Sequence, residues 1–169
     1  MNFNILIAGS KDFNDRVVAY KLLDKLHENF NTKIVTVSKF AGACAIAQEW
    51  VFIKNAQLEK EGKPTIEVRY FSLDHILEKH NNALFDLVDI PSMIIKNDPF
   101  FQEGKKEIIN SGIHTVLAFP NKEGKLGAAT QNIVRFAELA KVSRFPVDQL
   151  MAQLKENMEQ QPTKSKMKP

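Results

Sequence analysis

The sequence predicts an α/β fold, a doubly wound Rossmann-like sandwich with a mainly parallel central sheet. Three observations carry that expectation. Short apolar, β-branched runs alternate with longer stretches of helical periodicity. The runs lack strict polar alternation, as strands covered on both faces do. The chain has 169 residues, 44% hydrophobic and 25% charged, which is the balance of an ordinary globular protein with one sizeable core.

In chain order, the first strand is read at Phe3 to Ala8 and ends at Gly9-Ser10. Asn14 or Asp15 caps a first helix whose apolar positions are Val17, Val18, Leu22, Leu23 and Leu26. Lys33 to Ser38 is the second strand. A long helix from about Gly42 to Glu61 is closed by Gly62-Lys63-Pro64. Thr65 to Phe71 is a third strand, and Ser72 caps a helix running to about His80. From Asn81 to Asn97 the pattern fits a short helix or a strand broken at Pro91. Met93 to Ile95 fits a strand or an extended approach to a loop. Asp98 and Pro99 start a helix that ends at Ser111-Gly112. Ile113 to Phe119 is the clearest late strand, Pro120 to Gly127 a polar loop, and Ala128 to Val142 a helix. The expected organisation is a Rossmann-like domain over 1–145, then a C-terminal helix over 146–159 that packs on the domain or on a partner. A basic disordered tail over 160–169 completes it.

Charge and composition narrow the function. The formal net charge is +3, and Lys164, Lys166 and Lys168 sit in a terminal stretch without acids. Residues 1–159 are then formally neutral, which argues against a nucleic-acid-binding face. No apolar run approaches the roughly 20 residues of a membrane span, and the N-terminus lacks the features of a secretory signal. The single cysteine, Cys44, leaves no internal disulfide and suits a reducing compartment. A cytoplasmic location is expected.

No cofactor or metal is expected either. His75 and His80 are five apart and do not share a helix face. His27 reads as an exposed helix residue and His114 as structural. Cys44 reads as a small buried hydrophobe, Trp50 as core, and Glu49 as a solvated face or a local ion pair.

In such sheets ligands lie beyond the carboxyl ends of the strands, near the switch in strand order. Gly9, Ser10 and Lys11 follow the first strand. The glycine admits a close ligand, Ser and Lys donate to a phosphate, and the next helix adds its N-terminus. An ordinary strand-to-helix turn explains the same residues. After the second strand, Lys39 is a phosphate contact, Phe40 a stacking surface and Gly42 a point of close approach, although packing alone accounts for Gly42 and its alanines. Asn97 offers donor and acceptor groups to a base edge or ribose, or simply belongs to a capping segment. Gly127, with Gly124, can cradle a phosphate at the last main helix or form a flexible loop. The chain contains neither a Walker loop nor Gly-x-Gly-x-x-Gly.

Taken together these loops resemble a known arrangement. Residues 4–13, Asn-Ile-Leu-Ile-Ala-Gly-Ser-Lys-Asp-Phe, are similar to the opening strand and Gly-Ser-Arg-Asp-Phe/Trp loop of the YspA-like branch of the SLOG superfamily. That superfamily groups the DNA-processing protein DprA with lysine-decarboxylase-like Rossmann nucleotide-binding proteins. Residues 38–50 align without a gap to the branch pattern Gly-Gly-Ala-x-Gly-Ala-Asp-x-x-Ala-x-x-Trp, and Gly42, Ala43, Ala47 and Trp50 match it. Lys96-Asn97 looks like its Arg-Asn pair, and residues 115–120 with Gly124 and Gly127 look like its final strand and Gly-Thr loop. The chain departs from the pattern at Ser38-Lys39, Cys44 and Ala128, and it lacks the Pro-Gly-Gly-x-Gly-Thr-x-x-Glu motif of the related phosphoribohydrolases.

The resemblance implies a divergent member that binds a nucleotide or nucleotide-derived signal as a sensor, carrier or sequestering protein. Its site would be Gly9, Ser10, Lys11, Lys39, Gly42, Asn97 and Gly127, and the protein would be a homodimer or higher homo-oligomer. Two other readings stand beside it. One is an N-glycosidic-bond hydrolase using Asp12, Asp98 or Glu49. The other is an interaction protein with a degenerate pocket.

Overall fold

Phe3–Gly9 forms β1, the middle strand of a parallel sheet. The computed structural model describes residues 3–39, 41–71, 73, 76, 97–145, 147 and 151. After β1 come α1 (Arg16–Phe30), β2 (Thr32–Val37), α2 (Ala43–Lys60), β3 (Glu67–Tyr70), α3 (Pro99–Asn110), β4 (Thr115–Phe119), α4 (Ala128–Leu139) and β5 (Ser143–Phe145). The sheet order is β3-β2-β1-β4-β5, and every pairing is parallel. This is the Rossmann-like α/β arrangement, with the order switching direction at β1. No helix among the described residues is long and apolar enough to cross a membrane.

The alternation of β1 assigns its residues to two cores. Ile5 and Ile7 pack with Val18, Leu22, Leu23 and Leu26 of α1 and with Ile46, Ala47, Trp50 and Val51 of α2. Leu6 and Ala8 pack on the other face with Phe100, Phe101 and Ile108 of α3 and with Ile133, Phe136 and Ala137 of α4. Each large aliphatic buried here contributes about 1.5–3 kcal/mol. On that second face Gly104 of α3 lies against the ring of Phe136 with no room for a Cβ between them.

Asn4 anchors the amino end of the sheet. Its backbone N–H donates to His114 Nδ1 (3.0 Å), its side-chain amide donates to the Ser111 carbonyl (2.9 Å), and its Oδ1 accepts from the Thr36 hydroxyl (2.8 Å). The His114 N–H returns to the Asn4 carbonyl at 2.9 Å. One buried residue thus joins β1, β2 and the turn into β4, and leaving any of these buried groups unpaired would cost about 1–3 kcal/mol. His114 is structural, its Nδ1 serving as an acceptor.

A polar seam joins α1 to α2. The Trp50 indole N–H donates to Asp24 (2.9 Å), Lys54 pairs with the same carboxylate (3.1 Å), and Arg16 pairs with Glu49 (3.2 Å). Burial and the neighbouring Glu49 carboxylate push the Tyr20 phenol up to about 12, although its hydroxyl lies outside hydrogen-bond geometry with Glu49. His27 packs edge-on against Trp50 with ring centroids 6.2 Å apart. Burial, then the Lys54 charge, holds its imidazole below 6.5.

Several expectations change. Val17 is 59% exposed, because the inward stripe of α1 is set by Val18, Ala19, Leu22, Leu23 and Leu26 once Asp15 is the cap. His27 is half-buried, not exposed. β3 is shorter than expected and exposed at every residue, as an edge strand can be. α4 stops at Leu139, before Lys141 takes a left-handed φ of 59°. β5 was not anticipated. Its residues Ser143-Arg144-Phe145 make no apolar run, and pairing with β4 creates the strand, with the Thr115 hydroxyl donating to the Ser143 carbonyl at 3.0 Å. Of the helix expected after Ser72, Leu73 and Ile76 are described, and both are helical and buried. Of the C-terminal helix expected over 146–159, Val147 and Met151 are described and helical. The remainder of both segments, the stretch 81–96 and the tail 160–169 lie outside the described residues.

A depressed histidine gives the seam a pH dependence of definite sign. The folded pKa of His27 lies below the 6.5 of the unfolded chain, so the unfolded state takes up the proton first. The contribution is complete above 6.5 and is lost as pH falls through the lower folded value. Urea unfolding followed through Trp50, the one tryptophan, should show a midpoint that drops on acidification. His27→Gln should flatten that drop, and an equal drop in both proteins would place the acid sensitivity elsewhere.

Candidate functional site

Gly9 of β1 pairs with Phe119 of β4, so the two chains leave the sheet side by side. They then part. The chain after β1 enters α1 on one face, and the chain after β4 enters α4 on the other. Neighbouring loops that diverge leave a crevice, and this is where parallel sheets of this type place ligands. A cavity of about 190 Å³ opens there, lined by Asp12, Phe13, Asn14, Asp15, Asn121, Lys122 and Met151.

Local hydrogen bonds hold its walls. The Ser10 hydroxyl donates to the Asp12 carboxylate, the Asp12 N–H donates back to Ser10 Oγ (3.4 Å), and the Phe13 N–H donates to the Ser10 carbonyl (3.3 Å). Phe13 packs on Phe119 with centroids 4.8 Å apart. On the facing wall Asn121 Oδ1 accepts from the N–H groups of Glu123 and Lys125, both at 3.0 Å.

The N-termini of α1, α2, α3 and α4 fall into two chemical kinds. Asp15 caps α1 by accepting from Val18 N–H (3.1 Å), and Asp98 caps α3 by accepting from Phe100 N–H (2.9 Å). α2 and α4 start at Gly42 and Gly127 with no side-chain cap and no acid in the first turn. Their first N–H groups retain the positive end of the helix dipole, the arrangement that favours anions. Lys39 precedes α2, while Lys122 and Lys125 precede α4. None of these lysines, nor Lys11, forms an ion pair among the described residues.

Gly9 ends β1 and the other candidates read from the sequence lie on loops or helix starts, but the cavity is lined by their neighbours. Gly9, Ser10 and Gly42 meet. Gly42 adopts φ +60° against the Ser10 carbonyl, and a Cβ on Gly9 would lie 2.9 Å from Ala43 Cβ and 3.0 Å from Phe119 Cβ. The space beside both glycines is therefore filled by the chain itself, locking the loops after β1 and β2 together. Lys11 is exposed, Lys39 half-buried, and Phe40 lies outside the described residues. Gly127 has open space around it. Asn97 is exposed beside the α3 cap and does not line the cavity.

The acids separate in the same way. Asp12 lines the cavity with Asp15, whereas Asp98 serves as a cap. Glu49 sits on the α1–α2 seam, where the Tyr20 phenol and the Arg16 guanidinium hold its carboxyl below the usual range. Cys44 is fully buried, with its thiol against the Ile7 carbonyl (3.4 Å) and the Ser38 hydroxyl (3.6 Å). No group of three or more His, Cys, Asp or Glu fit to hold a metal occurs among the described residues.

Of the lining residues the sequence reading offered Asp12, as a possible hydrolase acid, and missed Phe13, Asn14, Asp15, Asn121, Lys122 and Met151 as site residues. Asn121 and Lys122 could have been found as the first positions beyond the Phe119-Pro120 strand end. Met151 could not, because its place depends on how the chain returns after β5.

The two glycines at helix starts should respond unequally to substitution. Gly42→Ala should lower stability by about 1–3 kcal/mol, the strain of a left-handed non-glycine residue, with the Ser10 contact added. Gly127→Ala should change it by less than about 0.5 kcal/mol. Urea denaturation of both variants checks the contrast, and equal effects would contradict the packing described. No protein-family model, curated protein or solved structure matches this chain, so the reading of the site rests on its own geometry.

Proposed function

We propose that this chain binds a nucleotide or nucleotide-derived signal at the carboxyl edge of its sheet, as a cytoplasmic sensor, carrier or sequestering protein that self-associates. The observation that carries the reading is the cavity at the β1–β4 switch, with uncapped, acid-free helix starts on the same edge. The resemblance of residues 3–140 to the SLOG superfamily supports the same ligand class.

The chemistry orients the ligand. At about 190 Å³ the cavity is smaller than the roughly 300–1,000 Å³ of a drug-sized site. It accommodates a ribose or a base rather than a whole nucleotide. Asp12 and Asp15 accept from sugar hydroxyls or a base amine, Asn14 and Asn121 supply mixed donors and acceptors, and Phe13 and Met151 give apolar walls. Asp15 places negative charge at the α1 N-terminus, where dinucleotide folds hold phosphate. The phosphate therefore belongs at the α4 start with Lys122 and Lys125, or at the α2 start with Lys39.

Isothermal calorimetry against a panel of nucleoside monophosphates, NAD, ADP-ribose and cyclic nucleotides tests this. At least one should bind, and Lys122→Ala should weaken it about tenfold, the loss of one charge-assisted contact of roughly 1.5 kcal/mol. Folded protein that binds none of them contradicts the reading.

A further inference from the structure

The walls of the cavity are held in different ways. On one side the turn after β1 is closed by its own hydrogen bonds, Phe13 lies on Phe119, and Asp15 is fixed as the cap of α1. On the facing side Asn121 is tied to the N–H groups of Glu123 and Lys125. The third wall, Met151, comes from the chain beyond β5 and packs against the core on the α1 face. The anchor of that stretch is Val147, 0% exposed within the same core. Both residues are helical, and a spacing of four puts them on one helix face about 6 Å apart along the axis. Burial of Val147 therefore sets Met151 over the cavity. β5 itself gives this stretch little hold. It is three residues long, with Ser143 and Arg144 exposed, and it pairs with β4 alone among the described strands.

We propose that the segment carrying Val147 and Met151 is the adjustable wall of the ligand site, so that occupancy of the cavity and docking of that segment reinforce each other. The coupling rests on the nucleotide reading of the cavity. A ligand seated there gains contact with Met151 only when the segment is docked, and that difference in contact is what shifts the docking equilibrium. The coupling is reciprocal, so a change that loosens the segment weakens the ligand. The side chain suits the role. An unbranched thioether adapts to the shape placed against it and packs favourably on an aromatic ring. The other apolar wall, Phe13, is held by Phe119. A base entering between them meets a fixed ring on one side and a thioether that follows it on the other. Val147 does not line the cavity. It acts through Met151, as a positioning residue.

Nuclear magnetic resonance of methyl-13C-methionine in the full chain tests this beside calorimetry, with the panel of nucleoside monophosphates, NAD, ADP-ribose and cyclic nucleotides as probes. The chain has five methionines, and the Met151 signal is the one lost in Met151→Leu. That methyl should shift with any nucleotide that binds. Val147→Ala should weaken the same nucleotide about fivefold, with circular dichroism and Trp50 emission unchanged, and Val147→Ile should bind it as the wild type does. A nucleotide that binds while the Met151 methyl stays unmoved overturns the coupling and leaves the ligand reading standing. So does one that binds Val147→Ala as tightly as the wild type. If no member of the panel binds, the ligand reading fails and the coupling fails with it.

Discussion

The organisation of this protein depends on the enclosure of β1. Ile5, Leu6, Ile7 and Ala8 are fully buried, so the strand must be covered on both faces and hydrogen-bonded along both edges. β2 takes one edge and β4 the other. Helices then cover both faces, α1 and α2 on one and α3 and α4 on the other. Once β1 is flanked by strands whose following helices go to opposite faces, the loops above β1 and β4 must separate. The cavity at their divergence is thus a consequence of burying one strand.

The two ends of β1 solve different problems. At the amino end Asn4 satisfies its buried polar groups through β2 and the turn into β4, which sets the strands at a common height. At the carboxyl end, Gly9 and Gly42 let the β1 and β2 loops close on each other without side chains between them. That closure stiffens one wall of the cavity. It also divides the electrostatics of the edge. The α1 and α3 starts carry capping aspartates, while the α2 and α4 starts have no side-chain cap and lie near lysines that form no ion pair among the described residues. A ligand with an anionic end and a hydroxyl-rich or basic end meets complementary ground in that division.

Much of this frame was legible in the sequence where the determinant is local. Asp15 and Asp98 were readable as caps, Trp50 as core, Cys44 as a small buried residue and His114 as structural, because each role follows from residue type and the adjoining pattern. The failures are tertiary. β5 exists through pairing with β4, and nothing in Ser143-Arg144-Phe145 signals it. Val17 sits in a helical apolar pattern yet points outward, since one helix turn cannot tell which of two neighbouring valines meets the sheet. His27 is drawn inward by Trp50 from another helix. Gly9 and Gly42 were recognised as positions of close approach, but what approaches is the protein's own backbone. The cavity opens between the loops after β1 and β4, while its lining falls on residues beside the named candidates and on the distant Met151.

The central claim is that the divergence of the β1 and β4 loops forms a ligand site for a nucleotide-like molecule. Backbone amide chemical shifts during titration with the tightest-binding member of a nucleotide panel test it most directly. The account predicts coherent shifts at residues 10–15 and 121–130, on both walls of the crevice, with little change at the amino end of the sheet around Asn4 and His114. Shifts absent from both loops, or centred on a different surface, would contradict it.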